Sequence, residues 1–390
     1  MSKTRVVVLY GGRSTEHEVS CRSAAFVLRN LDPAKYEIMA VAIDKSGRWL
    51  PQPTEDLLVA IKRGDRFVPI IQPSSVSKIG GSLQTTVDPV ENMRRAAAGD
   101  LSKSTFKGSD GNVTKDTVSE TVVFPVLHGT FGEDGSVQGF FDLADMAYVG
   151  PGTLGSAIGM DKVVAKKLAA TAGIPVVPWV DIRKQDWKKQ GQDVCRRAIA
   201  DLGLPLFVKP ATLGSSVGVS KVKKVEDLMP ACEAALEFDD RLLIEKGLEV
   251  REIECAMLGD YDPDVSVPGE VIAHTDFYSY DAKYISADAA SIAIPAKLTE
   301  QQTKEAQEMS CRVFVALELY GMARVDLFLE KGTGKFYLNE VNTIPGFTEI
   351  SQYPMLWKES GVPPAALLDR LVDLAIRRRK MRSALKRSVD

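Results

Sequence analysis

Four polar side chains in the last third of the chain alternate with apolar residues in a pattern that suits metal chemistry. Arg324 and Asp326 lie in the run ARVD, and Glu340 and Asn342 lie in the run NEVN. Two alternating runs joined through Gly332–Gly334 predict a β-hairpin. Folded symmetrically about the middle of this turn, the hairpin places Asp326 opposite Glu340. It likewise places Arg324 opposite Asn342.

Side chains alternate between the two faces of a strand, so these four emerge from one face of the hairpin. Two carboxylates and an amide oxygen suit a hard cation such as Mg²⁺, which completes its shell with water and nucleotide phosphate. The opposite face is predicted to pack in a core and carries Ala323, Val325, Leu327, Leu329, Tyr337 and Val341. The alternative is a solvated polar face on which Arg324 and Asp326 form an ion pair.

A Gly/Ser loop between two predicted strands is a candidate phosphate site. Gly214–Gly218 reads GSSVG, and Lys209 precedes it at a strand end. Small residues let backbone N–H groups approach phosphate oxygens, while Lys209 and Lys162 add point charges. An ordinary flexible turn is the alternative. Neither G-x-x-x-x-G-K-[ST] nor G-x-G-x-x-G is present, so neither a P-loop nor a standard dinucleotide fold is predicted.

Two further segments are candidates for nucleotide contact. Leu242–Glu252 reads as a strand running into a hinge whose backbone groups can meet an adenine edge, with Glu252 accepting from ribose hydroxyls. A charged linker explains it equally well. Phe277–Ser286 is aromatic and polar, and resembles a lid that brings Lys283 and Tyr284 over a site. An exposed loop is the competing interpretation.

Two motifs suit a small zwitterion. Glu16 lies near the start of a predicted helix, where its carboxylate can pair with an ammonium group and free N–H groups attract a carboxylate. Simple helix capping by Ser14 is the alternative. His128 opens the run HGTFGEDGSVQG at a strand end. It is either an active-site hydrogen-bond donor or a structural loop residue.

Composition limits the class of protein. The 390 residues include 49 basic and 52 acidic side chains, which predicts neither a nucleic-acid nor a membrane partner. The basic run from 377 to 387 is interpreted as the solvated end of the last helix. Five scattered cysteines predict reduced thiols rather than disulfides. The predicted strand at the N-terminus argues against a signal peptide, and no apolar run is long enough to cross a bilayer. The sequence therefore predicts a soluble cytoplasmic protein.

Strand and helix patterns predict an α/β fold, with α+β character in its later part. A strand at Arg5–Tyr10, a helix, and strands at Ile38–Ile43 and Thr121–Leu127 predict a parallel sheet. Residues 73–120 read as a surface insertion. Further predicted elements are a helix at Met160–Thr171 and strands at Val176–Val180, Leu206–Lys209, Gly218–Lys223 and Leu242–Glu245.

Taken in order, the motifs resemble those of the D-alanine–D-alanine ligases of the ATP-grasp superfamily. They are GGRSTEHEVS, HGTFGEDG, GMDK, VKP-x₃-GSSVGVS, EKG with REIE, DAKYIS, ARVD and NEVNTIPGFT, spread from residue 11 to 351. The resemblance implies three domains: a Rossmann-like domain at 1–150, a central ATP-grasp subdomain at 151–245 and a C-terminal one at 246–390. ATP would lie between the second and third.

The resemblance also assigns roles. Asp326, Glu340 and Asn342 would hold two Mg²⁺ ions, or Mn²⁺, with Glu340 bridging. Nucleotide contacts would come from Lys162, Lys209, Ser215, Ser216, Glu245, Lys246, Leu248, Glu252, Phe277 and Lys283. Glu16, linked through Ser215 to Tyr284, would bind the ammonium of the first D-alanine, and His128 would lie beside the substrates. Ser351 and Lys283 would hold the carboxylate of the second, while Arg324 and the Gly346 N–H would stabilise the oxyanion.

The implied reaction joins two D-alanine molecules through an acyl phosphate and releases ADP and phosphate, for peptidoglycan synthesis. A homodimer is consistent with the resemblance. The nearest alternative is a D-alanine–D-lactate ligase of the same family, in which Phe or His replaces the lid tyrosine. Tyr284 favours the dipeptide. A nicotinamide dehydrogenase fits less well, because the third glycine of its motif is missing and the hairpin carries carboxylates. A non-enzymatic ATP sensor also fits less well, because Arg324 and Ser351 would then have no purpose.

Overall fold

The chain forms two compact units. The structure, a computed structural model, describes residues 3–70, 118–273 and 290–386. The first unit comprises Met1–Thr153 and Ile344–Asp390, and the second comprises Leu154–Thr343. In the described part of the chain, no helix has both the length and the apolar character that crossing a bilayer requires.

The first unit is built on a five-stranded sheet in the order β3-β2-β1-β4-β5. Its strands are β1 (Lys3–Gly11), β2 (Tyr36–Ile43), β3 (Trp49–Pro51), β4 (Val118–Pro125) and β5 (Ala147–Tyr148). Only β3 runs antiparallel to its neighbour. The predicted parallel sheet is thereby confirmed. The predicted insertion lies outside the described residues except for its last three, which belong to β4.

Helices cover this sheet. They are α1 (His17–Asn30), α2 (Thr54–Lys62), α3 (Ser136–Leu143), α9 (Gln352–Glu359) and α10 (Pro364–Ser383). In α10, Arg378 is buried, lies 4.0 Å from the centre of the Tyr148 ring and donates to the Tyr148 carbonyl. Arg379 pairs with Glu120 at 3.2 Å. The interpretation of the basic run as a solvated helix end is therefore wrong for Arg378, which anchors α10 to the sheet.

The second unit begins with α4 (Thr153–Met160) and α5 (Lys162–Thr171) and contains two sheets. The predicted helix at Met160–Thr171 is confirmed from Lys162 to Thr171; a break lies at Asp161, whose side chain accepts from the N–H groups of Val163 and Val164 and caps the new helix. The predicted strand at Val176–Val180 begins later, at Trp179.

The smaller sheet is antiparallel, in the order β6-β9-β7-β8. Its strands are β6 (Trp179–Arg183), β7 (Leu206–Pro210), β8 (Ser220–Val222) and β9 (Arg241–Lys246). Two helices, α6 (Lys184–Leu202) and α7 (Leu228–Phe238), pack on it through an apolar core that includes Cys195, Val208 and Cys232. The Gly/Ser loop connects β7 to β8, as predicted.

The larger sheet has six strands. They are β10 (Val250–Gly259), β11 (Asp264–Val265), β12 (Gly269–Ala273), β13 (Ala290–Ala293), β14 (Gly321–Glu330) and β15 (Phe336–Asn342). The order is β13-β12-β10-β14-β15, with β11 beside β10. Its inner face packs on α5 and on α8 (Glu300–Ala316), which starts with a capping box between Thr299 and Gln302. The outer face carries the polar residues of the hairpin.

The compact units do not follow the three predicted domains. Residues 344–390 cluster with the N-terminal sheet, although the sequence assigned them to the C-terminal domain. The division into three domains stays a prediction.

Candidate active site

The hairpin of β14 and β15 has the predicted pairing at its polar end. Asp326 is the register partner of Glu340, and Arg324 is the partner of Asn342. Directly paired residues point to the same face of a sheet, so the four side chains share one face. This part of the prediction is confirmed.

A β-bulge lies just below these pairs. The register shifts between Asp326 and Leu327, because Leu327 pairs with Leu338 and leaves Asn339 as the extra residue. The shift turns Phe336 and Leu338 into the core, where both are almost fully buried. The assignment of Tyr337 to the packed layer is therefore wrong. Tyr337 pairs with Phe328 on the polar face.

Arg324 and Asp326 form a two-pronged ion pair on this face. Arg324 Nε and Nη2 donate to Asp326 Oδ1 and Oδ2, each at 2.7 Å. Asn342 Nδ2 donates to Asp326 Oδ2 at 2.9 Å. The ion pair that was the alternative interpretation is thus present, although Asp326 is 7% exposed rather than solvated. Asp326 is thus already engaged by Arg324 and Asn342, and it would have to exchange one of these contacts to bind a further ligand.

Glu254, which the sequence interpretation missed, extends the row of carboxylates. It lies on β10 as the register partner of Asp326, so Glu254, Asp326 and Glu340 occupy neighbouring positions on three strands. Its Oε2 lies 2.9 Å from Arg324 Nε. Burial opposes the charge of Arg324, but the carboxylates of Asp326 and Glu254 raise its pKa further above the usual value. The sequence feature that could have identified Glu254 is the spacing of two residues between Glu252 and Glu254 in the run REIE, which places both side chains on the same face of a strand.

Lys162 joins the hairpin to the Gly/Ser loop. Its Nζ lies 3.3 Å from Glu340 Oε2 and donates to the Leu213 carbonyl at 2.7 Å. In that loop Ser215 and Ser216 have φ angles of 53° and 59°. Two consecutive left-handed residues are uncommon outside functional loops, and such turns direct backbone N–H groups into a concave site.

A buried cluster of two lysines and one carboxylate lies at the end of β9. Glu245 Oε2 accepts from Lys209 Nζ at 2.6 Å, and Glu245 Oε1 contacts Lys166 Nζ. Lys166 and Glu245 are each 2% exposed. Lys166 was not among the predicted residues, although it lies one helical turn after Lys162 on α5. The Lys209 ammonium also lies 5.8 Å from the centre of the Phe328 ring, on the polar face of the hairpin.

The charges in this cluster are linked. Burial acts to raise the pKa of Glu245, but Lys166 and Lys209 outweigh it and hold that pKa below the usual range. For Lys209, burial is opposed by Glu245, which raises the pKa of the ammonium. Burial lowers the pKa of Lys166, because a single carboxylate does not fully compensate two buried ammonium groups.

The segment after β9 is the connection that the sequence predicts to act as a hinge. The N–H groups of Lys246 and Gly247 donate to the carbonyls of Pro178 and Pro205, at 3.0 and 2.8 Å. Leu248 follows these two residues. Glu252 lies on β10 and is the register partner of Phe328 on β14. The predicted strand is confirmed at Arg241–Lys246, and the role of the following segment as a hinge stays a prediction.

In the first unit, Glu16 and His128 lie close together. Glu16 precedes α1, and a Cβ atom on Gly129 would come within 2.8 Å of Glu16 Oε2. Gly129 also has a φ of 73°, which disfavours other residues. Ser14 Oγ donates to the His128 carbonyl at 2.6 Å and accepts from the Glu16 N–H at 3.2 Å. Ser14 therefore holds the two motifs together. It does not cap α1, because the N-cap residue is Glu16 and no side-chain cap hydrogen bond is made, so the alternative of helix capping by Ser14 is wrong.

Both ring nitrogens of His128 contact protein groups. Nδ1 lies 2.9 Å from the Ile344 carbonyl, which only accepts, so Nδ1 carries the proton. Nε2 then accepts from Ser23 Oγ at 2.9 Å, and Ser23 Oγ accepts from the Phe347 N–H at 3.1 Å. Burial lowers the pKa of His128. Of the two interpretations of His128, this geometry favours a structural one that positions the segment around Gly346.

Gly346 and Ser351 lie side by side. A Cβ atom on Gly346 would come within 2.9 Å of Ser351 Oγ. Ser351 Oγ accepts from the Thr348 N–H at 2.9 Å, and Ser351 precedes α9. The predicted lid residues Phe277, Lys283 and Tyr284 lie outside the described residues.

The polar face of the hairpin fits a hard divalent cation. Its donors are the carboxylate oxygens of Asp326 and Glu340 and the amide oxygen of Asn342. Within residues 3–70, 118–273 and 290–386, no group of three or more His, Cys, Asp or Glu side chains is arranged to hold a metal ion. A site on this face therefore depends on the amide of Asn342 and on ligands from a bound nucleotide.

Family comparisons agree with this arrangement of motifs. Residues 5–151 match the family described as D-ala D-ala ligase N-terminus, and residues 168–373 match D-ala D-ala ligase C-terminus. The chain belongs to the D-alanine–D-alanine ligase family. It is 43% identical over 387 residues to D-alanine–D-alanine ligase A of Bradyrhizobium diazoefficiens, covering 99% of this chain and 98% of that protein. It is 41% identical over 390 residues to the D-alanine–D-alanine ligase of Caldicellulosiruptor bescii, covering 100% of both.

Solved structures of this ligase family are similar over nearly the whole chain. The D-alanine–D-alanine ligase from Coxiella burnetii is 34% identical with a TM-score of 0.76, and the match covers 98% of this chain and 97% of that one. The VanG D-Ala:D-Ser ligase from Enterococcus faecalis is 33% identical with a TM-score of 0.74, covering 96% and 99%. The ATP-grasp fold expected from the resemblance is thereby confirmed.

Proposed function

We propose that this protein joins two molecules of D-alanine into D-alanyl-D-alanine, with cleavage of ATP to ADP and phosphate, for peptidoglycan precursors. The observation that carries the proposal is the shared face of Asp326, Glu340, Asn342 and Arg324. Lys162 links that face to the Gly/Ser loop through Glu340 and the Leu213 carbonyl. A ligase of this class needs these parts together, because catalysis of phosphoryl transfer is mostly positioning and charge neutralisation.

The nucleotide would lie between the two sheets of the second unit. Lys246 and Leu248 would meet the adenine edge, next to a backbone fixed by hydrogen bonds from the amides of Lys246 and Gly247 to protein carbonyls. Glu245 would accept from the adenine amine and Glu252 from the ribose. Phosphate oxygens would contact Lys162, Lys209, Ser215 and Ser216, with Phe277 and Lys283 added by the lid.

We propose that Asp326, Glu340 and Asn342 would hold the Mg²⁺ ions, or Mn²⁺, predicted from the sequence. When bound, Mg²⁺ would neutralise charge that develops on the phosphate oxygens. Asp326 would have to lose part of its contact with Arg324 to serve as a ligand, because Arg324 Nε and Nη2 both donate to it.

The reaction follows from charge and position. The carboxylate of the first D-alanine attacks the γ-phosphorus, the bond from that phosphorus to the bridging oxygen breaks, and ADP leaves as the acyl phosphate forms, with Lys162 and Lys209 neutralising charge on the phosphates. The amine of the second D-alanine then attacks the acyl carbon and phosphate leaves. Arg324 and the Gly346 N–H stabilise the oxyanion that forms, and each such donor contributes about 3–4 kcal/mol in comparable sites. A closed lid excludes water, which would otherwise hydrolyse the acyl phosphate.

We propose the following groups for binding the two substrates. Glu16 binds the ammonium of the first D-alanine, and Ser215 links Glu16 to Tyr284. Ser351 and Lys283 bind the carboxylate of the second. His128 contributes by holding the Ile344–Phe347 segment rather than by touching substrate, since both of its ring nitrogens are engaged.

The runner-up function is ligation of D-alanine to D-lactate. Tyr284 favours the dipeptide, and the similarity to a D-Ala:D-Ser ligase makes D-serine a necessary third comparison. Turnover with D-alanine, D-lactate and D-serine as second substrate at neutral pH separates these functions. Preference for D-lactate would contradict our assignment.

The proposal extends to the organisation of the protein. We infer three domains with the boundaries predicted from the sequence, a homodimer and a cytoplasmic location. Sedimentation equilibrium tests the dimer, and fractionation of cells tests the location.

The direct test is phosphate release with ATP, Mg²⁺ and either D-alanine or L-alanine. We expect turnover with D-alanine only. Glu340→Gln should abolish ADP formation driven by D-alanine, because it removes the shared carboxylate. Glu330→Gln is the matched control, since Glu330 lies at the turn end of the same hairpin and bonds Thr333 instead. Unchanged turnover in Glu340→Gln would refute the metal assignment.

A further inference from the structure

Glu254 has a position that the proposed reaction does not yet use. It is 6% exposed, lies beside Asp326 in the row of carboxylates on β10, β14 and β15, and contacts Arg324. A carboxylate is rarely buried to this extent without a partner. Here its partner is Arg324, with Glu254 Oε2 2.9 Å from Arg324 Nε.

Arg324 therefore has two counter-charges on the same face of the sheet, and both lie within 2.9 Å of its Nε. Asp326 holds it through two hydrogen bonds of 2.7 Å, and Glu254 contacts it from the neighbouring strand. The proposed function gives Asp326 a second task, because Asp326 is also a ligand of the metal ion. A carboxylate that binds a divalent cation attracts a guanidinium less strongly.

Without another counter-charge, metal binding would leave the buried guanidinium with a weakened partner, which is costly. The guanidinium would then compete with the metal for Asp326. A second carboxylate removes this conflict, because it holds Arg324 in place while Asp326 turns its lone pairs to the metal. Arg324 then stays on the face where the oxyanion forms.

We propose that Glu254 is a positioning residue that holds Arg324 and thereby releases Asp326 for the metal ion. The inference rests on the proposed function, because it takes Asp326 and Glu340 as ligands. It concerns an arrangement of charges, and Glu254 itself touches neither the metal nor the substrate.

The test measures Mn²⁺ binding in the presence of ADP, by the electron paramagnetic resonance signal of free Mn²⁺. We expect Glu254→Gln to weaken Mn²⁺ binding about tenfold, since a neutral amide holds Arg324 less well and Arg324 keeps Asp326. Glu254→Asp retains the charge and should bind Mn²⁺ more tightly than Glu254→Gln. Unchanged binding in Glu254→Gln would overturn the inference.

Glu270→Gln is the matched control. Glu270 lies on β12 of the same sheet, is 8% exposed and pairs with an arginine, Arg251, through two hydrogen bonds of 2.7 Å. Its register partner is Ile253, a core residue, so it faces the opposite side from Glu254. We expect this variant to bind Mn²⁺ within twofold of the unchanged protein. An equal loss in both variants would attribute the effect to damage of the sheet and would overturn the inference.

A double mutant separates positioning from a direct effect. If Glu254 acts through Arg324, then Glu254→Gln should change Mn²⁺ affinity by less than twofold in an Arg324→Met background. If Glu254 binds the metal itself, or acts only by its negative charge, the loss persists in that background and the inference fails.

The same Mn²⁺-binding measurements distinguish a failure of this inference from a failure of the proposed function. Glu340→Gln should weaken Mn²⁺ binding strongly, whatever the role of Glu254. If Glu340→Gln binds Mn²⁺ normally, then the metal site itself is wrong and the inference fails with it. If Glu340→Gln weakens binding while Glu254→Gln does not, only the inference fails.

Discussion

Lys166 and Glu245 form an ion pair in which each side chain is only 2% exposed. The other oxygen of Glu245 accepts from Lys209 at 2.6 Å, so one carboxylate serves two ammonium groups. Lys209 is a proposed phosphate ligand, and nucleotide phosphates would draw it away from Glu245. Lys166 would then be the counter-charge that keeps Glu245 ionised while it accepts from adenine.

Replacement of Lys166 should destabilise the protein more than replacement of its neighbour. We expect Lys166→Met to lower the free energy of unfolding by about 3 kcal/mol, because removal of one partner leaves a buried charge undercompensated. Lys167→Met is the control: Lys167 is 54% exposed, lies 3.4 Å from Asp181, and should cost less than about 1 kcal/mol. Urea denaturation measures both. Equal losses would mean that the Lys166 pair contributes no more than a surface pair.

The stability of the protein should depend on the protonation of His128. Burial lowers its pKa from the ordinary value of 6.5, so the unfolded chain binds the proton more readily than the folded one. The native state therefore loses stability as pH falls below about 6.5, by at most about 1.4 kcal/mol per pH unit, and is unaffected above it. Urea denaturation from pH 7.5 to 5.5 tests this. His128→Asn should show a shallower loss over that range, and an identical slope would contradict the prediction.

Gly129 should be needed for the binding of the first D-alanine. An Ala side chain there would place Cβ 2.8 Å from Glu16 Oε2, at a φ of 73°. We expect Gly129→Ala to cost about 1 kcal/mol of stability and to raise the KM for the first D-alanine at least tenfold, because the Glu16 carboxylate must move. Steady-state kinetics measure this change.

Gly332→Ala provides the control for Gly129→Ala. Gly332 has a φ of 89°, and a Cβ atom there would meet nothing within 4 Å. It should therefore lose a similar amount of stability with no change in KM. A tenfold rise in KM in both variants would show that backbone strain, rather than the position of Glu16, controls binding.

The β-bulge at Asn339 predicts opposite roles for two neighbouring residues. Leu338 is 1% exposed in the core, so Leu338→Ala should cost about 2–5 kcal/mol. Tyr337 lies on the polar face and is partly exposed, so Tyr337→Ala should cost less. Thermal or urea denaturation compares the two. A larger loss at Tyr337 would mean that the strand continues without the bulge.

Local patterns in the sequence were sufficient for several features. The parallel sheet at the N-terminus, the hairpin and the pairing of Asp326 with Glu340 follow from apolar runs, turn residues and the two-residue period of a strand. The bulge also left a local signal, since the apolar residues Phe336, Leu338 and Val341 change parity along β15. A reading of the strand as regular overlooked it and misplaced Tyr337.

Other features were decided by the tertiary structure. Glu254 and Asp326 lie on strands that are distant in the sequence, and only the order of strands in the sheet makes them neighbours of Arg324. The sequence likewise gives no sign that Lys166 differs from other charged residues on its helix. Only the packing of α5 against β9 brings it to Glu245 and buries it. Motif spacing determined which groups the protein has for its chemistry. Pairing across the sheets and burial decided which charges meet, because the strength of a charge pair depends on its partners and on exclusion of water.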